Sequence, residues 1–207
     1  RQNATLDFFN IPVDSNGFYI DTDDRVHNVP SGRGNVNLYY STSIMKLAGS
    51  RSLTLEGLTF CGSRNPLELC YRGSSNKTVQ NCSFHHCGNG VWCNNGIANY
   101  PLNVTVKDCT FREMYNNSCI QLEGNDGVTV TGNKTYHTGL MNKGLSVISV
   151  SGQNFNVSDN DVRAFSYIGI RVGNTRDFGV EKISGKVSRN YIDNSENFGN
   201  GNVCLSD

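Results

Sequence analysis

The chain has 207 residues, enough for one domain with a hydrophobic core or for one section of an elongated repeat protein. Its 18 basic and 18 acidic residues cancel, which argues against a nucleic-acid-binding or anionic-membrane-binding surface. Hydrophobic residues make up 37%, which excludes the composition of a disordered chain, and no apolar run reaches the roughly 20 residues of a membrane span. We therefore expect a folded protein with no membrane span and no nucleic-acid partner.

Residues 1–42 form the first segment. Three short apolar pieces, at 6–9, 18–20 and 38–40, are separated by polar and glycine-rich stretches and do not join the pattern that follows. We predict that this segment is a cap or a lead-in to the main fold, because the first unit of a stacked structure needs a cover. Residues 43–207 are predicted to form a single domain.

That domain contains a repeat. Six octets align with start-to-start spacings of 24, 27, 24, 27 and 30 residues, and they begin at Leu53, Lys77, Val104, Val128, Phe155 and Gly185. Their third column is Leu or Val throughout and their second column is polar, which is typical of a short strand with one buried face. A further short apolar strand precedes each octet. The pattern predicts coils of two or three strands that stack into a solenoid.

The sixth column of the octets predicts two kinds of stack. Its members, in chain order, are Leu58, Cys82, Cys109, Asn133, Asn160 and Asn190. An inward Asn at a turn can bind the backbone and the neighbouring Asn, so the last three are predicted to form a ladder. Cys82 and Cys109 either form a disulfide or stack as small apolar groups, and both interpretations stay open.

With these octets and spacings, residues 43–207 resemble the right-handed parallel β-helices of the pectate-lyase-like superfamily. The resemblance implies an all-β, single-stranded parallel β-helix of about six to seven coils, an architecture found in many extracellular carbohydrate-active and adhesive proteins. A β-sandwich with regularly spaced strands is the alternative for the same pattern.

Glycosylation motifs and cysteines indicate the compartment. Eight cysteines accompany seven Asn-X-Ser/Thr motifs, which favours a secreted glycoprotein at the cell surface or in the extracellular space, with a bacterial surface protein as the alternative. Asn133 is predicted to be unmodified, because it cannot be both a buried ladder residue and an acceptor. The predicted acceptors are Asn3, Asn76, Asn81, Asn103, Asn116 and Asn156.

The cysteines also allow disulfides or a metal site. Cys61 with Cys70 and Cys87 with Cys93 are the sequence-local disulfide candidates among many pairings. Cys82 and Cys87 lie near His85 and His86, but no second Cys-x-x-Cys pair completes a zinc site, so no metal is predicted.

Catalytic residues are weakly indicated. Glu113, Glu123 and Asp126 are the best carboxylate cluster for a glycosidase. The Asn-Thr-Asp, Asp-Asp, Gly-His-Gly and Arg-Ile-Lys motifs of the pectin hydrolases that the chain resembles are all missing from residues 43–207. The resemblance to pectate lyases implies an Arg or Lys that acts as the base and acidic residues that hold calcium. No acidic cluster surrounds the candidate bases Arg72, Lys107, Arg112 and Arg171. We predict no cofactor and leave Ca²⁺ open.

Three functions compete. The first is a structural role at the cell surface or in the extracellular matrix, with assembly end to end, because residues 203–205 begin a coil that no octet completes. The second is a polysaccharide lyase or glycoside hydrolase that acts in a groove of the helix. The third is a glycan-binding adhesin, in which outward aromatic residues stack on sugar rings; the candidates are Trp92, Tyr100, Tyr115 and Tyr136.

Overall fold

The computed structural model describes residues 6–12, 18–20, 26–28, 35–49, 51–71, 75–94, 103–142, 145–173 and 183–196. All regular elements in these ranges are strands. No helix within the described ranges is long and apolar enough to cross a membrane. Asn3, Arg72, Tyr100 and the strand expected at 203–205 lie outside the described residues.

Twenty-one strands follow one another in the described parts of the chain. The first are β1 (Leu6–Pro12), β2 (Phe18–Ile20), β3 (Val26–Asn28), β4 (Asn35–Ala48), β5 (Leu53–Glu56), β6 (Thr59–Cys61) and β7 (Ser63–Tyr71). Next come β8 (Lys77–Gln80), β9 (Ser83–His85), β10 (Asn89–Asn94), β11 (Val104–Lys107), β12 (Thr110–Asn116), β13 (Ser118–Asp126) and β14 (Thr129–Thr131). The last are β15 (Lys134–Asn142), β16 (Ser146–Gln153), β17 (Phe155–Ser158), β18 (Asp161–Arg163), β19 (Ile168–Val172), β20 (Gly185–Ser188) and β21 (Tyr191–Asp193).

Three sheets wrap around one axis. The first sheet has the order β1-β4-β7-β10-β13-β16-β19, the second has β20-β17-β14-β11-β8-β5 and the third has β21-β18-β15-β12-β9-β6. Each coil supplies one strand to each sheet, and the pairs between coils are parallel. The predicted all-β parallel solenoid is therefore confirmed.

The amino-terminal segment meets the first sheet. β4 pairs in parallel with β7 and crosses the boundary expected between residues 42 and 43. β1 pairs antiparallel with β4 and forms the edge of that sheet, while β2 and β3 form a separate antiparallel pair.

The third column of the octets is the core of the second sheet. Val79 pairs with Val106, Val106 with Val130, and Val130 with Val157. Residues at these four positions have no exposed surface, because each coil covers the apolar face of the next. Val187, in the last described coil, remains 46% exposed. Equivalent residues thus stack along the axis.

The Asn residues of the sixth column form a continuous hydrogen-bonded ladder. The Nδ2 of Asn133 donates to Val106 O and to Asn160 Oδ1, both at 3.0 Å. The Nδ2 of Asn160 donates to Val130 O at 3.0 Å and to Asn190 Oδ1 at 2.9 Å. Asn160 Oδ1 also accepts a hydrogen bond from the backbone N–H of Asn133, and Asn190 Oδ1 accepts one from the backbone N–H of Asn160. Every rung thereby satisfies backbone groups at the corner.

Cys82 and Cys109 continue this column as thiols rather than as a disulfide. The Sγ of Cys109 lies 3.3 Å from Lys107 O and 3.7 Å from Val79 O, and the Sγ of Cys82 lies 3.3 Å from Gln80 O. Both thiols therefore act as small buried groups that donate weakly to carbonyls.

The two sequence-local disulfides are not formed, and those predictions are wrong. Cys61 and Cys87 carry thiols. Cys93 is disulfide-bonded, but not to any of the thiols Cys61, Cys82, Cys87, Cys109 and Cys119. In a solenoid the spatial neighbours of a residue lie a whole coil away, so short separation along the chain is a poor guide to pairing.

The buried thiols predict a loss of stability at high pH. Burial raises the pKa of the Cys109 thiol from its ordinary value of 9.0 to about 12. A raised pKa in the folded state contributes stability that is complete below pH 9 and is lost as the pH rises towards 12. We expect this thiol alone to reduce the free energy of unfolding by about 1.4 kcal/mol per pH unit in that interval.

Urea unfolding at pH 8 and pH 11, with reductant present, measures this loss. Because Cys109→Ala removes the titrating group, its pH dependence should be shallower than that of the wild type. Equal slopes for the two proteins would contradict the prediction.

Candidate functional site

Titratable side chains form a line along the third sheet, near the turn of the chain towards the first sheet. The two positions after each octet supply this line, which we call the corner stripe, and nine of its twelve members are titratable: Cys61, Gly62, His85, His86, Arg112, Glu113, Tyr136, His137, Arg163, Ala164, Asp193 and Asn194. Cys61 pairs with His85, His85 with Arg112, and Arg112 with Tyr136. Arg163 pairs with Asp193. The repeat therefore places side chains from six coils along one edge.

The backbone of the corner stripe is held in an unusual conformation. His86, Glu113, His137 and Ala164 have φ values of 51°, 47°, 54° and 48°. The corner between the second and third sheets also has positive φ, but mostly at Gly, Asn or Asp, which tolerate it. Glu and Ala do not favour this region, and such strain often accompanies functional positions. The strain makes this corner the strongest candidate site.

A histidine lies between two carboxylates at the centre of the stripe. The Nδ1 of His137 is 3.9 Å from Glu113 Oε1, and its Nε2 is 4.0 Å from Glu196 Oε2. Glu113 is largely buried, and its Oε2 lies 3.5 Å from the Nε of Arg112. Since an imidazole separates its two nitrogens by only about 2 Å, the two carboxylates are at most about 10 Å apart.

Tyr136 extends this group towards solvent. It is 39% exposed, its ring stacks on His137 with 3.7 Å between centroids, and its hydroxyl donates to Glu196 Oε2 at 2.6 Å. The hydrogen bond to Glu196 raises the pKa of the Tyr136 hydroxyl, because ionisation would place a second negative charge beside the carboxylate.

A cavity of about 240 Å³ opens beside the tyrosine. It is lined by Tyr136, Arg163, Ala164, Asp193, Ser195 and Glu196. Arg163 is held in place by two hydrogen bonds to Asp161, at 2.6 and 2.9 Å. The backbone N–H of Ser195 lowers the pKa of Asp193, so this carboxylate is ionised at neutral pH. An aromatic face, a guanidinium and two carboxylates thus surround a small open space.

The predicted carboxylate cluster divides between two sheets. Glu113 lies in β12 of the third sheet, whereas Glu123 and Asp126 lie in β13 of the first sheet, which begins the next coil. Glu123 is 7% exposed and accepts a hydrogen bond from Ser149 Oγ at 3.0 Å. Asp126 accepts one from Asn154 Nδ2 at 2.8 Å. Glu113 therefore belongs to the corner stripe, while the other two have separate partners.

The aromatic candidates occupy different environments. Tyr115 is buried, Trp92 is partly buried in β10, and Tyr136 is exposed in the stripe. Of the described candidate bases, Arg112 lies in the stripe, whereas Lys107 and Arg171 belong to the second and first sheets. Tyr136 is thus the candidate best placed for a ligand.

The predicted glycosylation acceptors differ in their exposure to solvent. Asn81 and Asn103 are exposed, and Asn76 and Asn156 are partly buried. Asn116 is only 7% exposed and its Nδ2 donates to Asn89 Oδ1, which argues against this acceptor because the glycan is attached to Nδ2. Asn133 has no exposed surface.

One family model matches the chain. It is described as a right-handed beta helix region and covers residues 42–206, which is more than half of the sequence. No curated protein and no solved structure matches the chain. The covered range coincides with the six coils that build the three sheets and the corner stripe. The chain therefore belongs to the right-handed β-helix family.

Proposed function

We propose that this protein is a secreted β-helix that binds extracellular polysaccharide at the Tyr136 end of the corner stripe. One observation carries the proposal: an exposed aromatic ring stands beside a small open cavity that also contains a guanidinium and two carboxylates. The apolar face of a sugar ring packs on aromatic side chains, and its hydroxyls form hydrogen bonds with charged planar groups. The cavity accommodates about one small polar ring and leaves the rest of a chain in solvent.

The positions of the glycosylation motifs support this assignment. Asn76, Asn81, Asn103 and Asn156 lie on the second sheet or at its two corners. Within the described residues, no exposed glycosylation motif lies in the corner stripe. Glycans on the second sheet would leave the corner stripe accessible, and the motifs favour an extracellular location.

Hydrolysis of the bound chain is the second candidate. It is favoured by the two carboxylates on either side of His137, whose separation of at most about 10 Å includes the range for inverting glycosidases. In such a reaction one carboxyl group protonates the leaving oxygen and the other activates a water molecule. Glu113 and Glu196 are the residues in these roles.

Affinity electrophoresis and glycan arrays on plant and algal polysaccharides test the binding. We expect Tyr136→Ala to weaken binding by about tenfold or more, because it removes the aromatic platform. Tyr167→Ala is the matched control, since Tyr167 is equally exposed but does not line the cavity. An unchanged affinity of Tyr136→Ala, or no binding by the wild type, would refute the proposal.

Release of reducing ends from a bound polysaccharide separates the two candidates. If the protein is a hydrolase, Glu113→Gln should abolish release while retaining binding. Binding without release by the wild type assigns the adhesin role and dismisses hydrolysis.

Assembly into filaments stays a separate prediction. Exposed apolar residues on the last described coil favour it, among them Val187, Tyr191 and Ile192. β1 opposes it, because an antiparallel strand occupies the edge of the first sheet that a parallel continuation would need.

A further inference from the structure

Three potential metal ligands lie together at the amino-terminal end of the corner stripe. Cys61 ends β6, His85 ends β9 directly beside it, and His86 follows. The Cys61 sulfur and one ring nitrogen from each histidine lie within 4.8 Å of one another. This group is separate from Tyr136 and its cavity, so it is independent of polysaccharide binding.

The two imidazoles are arranged as ligands of a single cation. Their Nδ1 atoms are 3.0 Å apart and their planes meet at 81°. Two nitrogens on one tetrahedral zinc ion, each about 2.0 Å from the metal, lie roughly 3.3 Å apart. A proton shared by the rings would engage only the two nitrogens, whereas a cation engages all three donor atoms.

The backbone holds these ligands before any ion binds. His86 is 8% exposed, has a φ of 51°, and its carbonyl accepts the N–H of Gly62 at 3.2 Å. The register between β6 and β9 fixes Cys61 beside His85. Little reorganisation is therefore needed for binding, which favours affinity.

The donor set selects the class of metal. A thiolate with two imidazoles suits Zn²⁺ and excludes Ca²⁺ and Mg²⁺, which prefer oxygen ligands. Cys61 is exposed and gives an ion access from solvent. Cys87 is not a fourth ligand, because its Sγ is buried and is directed at Phe60 O and His85 O, at 3.7 and 3.4 Å.

We propose that Cys61, His85 and His86 form a zinc site with three protein ligands and a fourth position open to water or to an exchangeable ligand. Local spacing in the sequence pointed to Cys82 and Cys87 as companions of the histidines. The repeat supplies Cys61 instead, from the preceding coil.

Cobalt titration of the untagged, reduced and chelator-treated full chain tests this site. We expect one equivalent of Co²⁺ to produce thiolate charge-transfer absorption and the intense visible bands of tetrahedral coordination, and Zn²⁺ to abolish both. Cys61→Ser should eliminate the charge-transfer band, and His85→Gln should weaken binding by at least about tenfold.

Two controls make the outcome decisive. Cys82→Ser removes a buried thiol in the sixth octet column, and His137→Gln removes a histidine elsewhere in the stripe; both should retain full Co²⁺ binding. Circular dichroism confirms that each variant is folded. Weak octahedral spectra, or an unchanged spectrum in Cys61→Ser, would overturn the proposal. Polysaccharide is not present in this assay, so its result does not depend on the proposed function.

Discussion

Phe84→Ala is expected to lower the free energy of unfolding by about 4 to 5 kcal/mol, a large part of the stability of an ordinary domain. Phe84 has no exposed surface and lies between Phe60 and Phe111 in the eighth octet column. The ring centroids are 4.8 and 4.7 Å apart and the planes differ by only 8° in each pair. The substitution removes two stacked pairs as well as buried area, and it leaves a cavity between coils.

Urea unfolding followed by far-ultraviolet circular dichroism measures this change. Phe84→Leu is the matched control, because it keeps most of the buried volume and should cost less than about 2 kcal/mol. Ile44→Ala, at a side chain that is 49% exposed, should have a small effect. The expected loss in the free energy of unfolding is about 4 kcal/mol; a loss of less than about 1 kcal/mol in Phe84→Ala would show that the stack contributes little.

Asn160→Ala is expected to destabilise the fold by about 3 kcal/mol, because it interrupts the ladder at its middle rung. The variant loses both donors to Val130 O and Asn190 Oδ1, together with the acceptor of the N–H and Nδ2 of Asn133. These groups are buried, so water does not readily replace the lost partner.

Asn190→Ala provides the comparison within the same ladder. Asn190 is partly buried, and its Nδ2 donates to Val157 O. Because solvent reaches the groups that this variant exposes, we expect a smaller loss of stability, about half that of Asn160→Ala. Equal losses of stability in the two variants would argue that burial does not determine how much each Asn of the ladder contributes to stability.

The architecture followed from the sequence because the repeat itself encodes the contacts. The third column predicted that Val106, Val130 and Val157 stack, and these residues pair in register without exposed surface. The period of two identified the strands, and the spacing of the octets gave their order in the sheets.

The site was harder to predict because the alignment of the octets ended at the eighth column. Two further columns contain Tyr136 and His137, and Cys61 and His85 share the first of them. Extending the alignment would have brought these residues together, since residues of one column are neighbours in space. Local spacing instead favoured short-range disulfides and a Cys82–Cys87 grouping.

Other contacts leave no mark in the pattern. Lys77 occupies the first octet column, yet it is buried and its Nζ donates to the carbonyls of Gly49, Arg51 and Ser75 at 2.7 to 2.8 Å. Glu196 lies outside the octets, and the folded chain brings it beside His137. Such contacts depend on the path of the loops between coils, which hydrophobic periodicity does not record.

The stacked repeat gives this protein a simple way to change in evolution. Since each coil touches only its two neighbours, duplication of one unit of 24 or 27 residues inserts a complete layer without disturbing the others. Each new layer would also add two residues to the corner stripe. The length of the fold and the number of side chains in this row would then increase in equal steps.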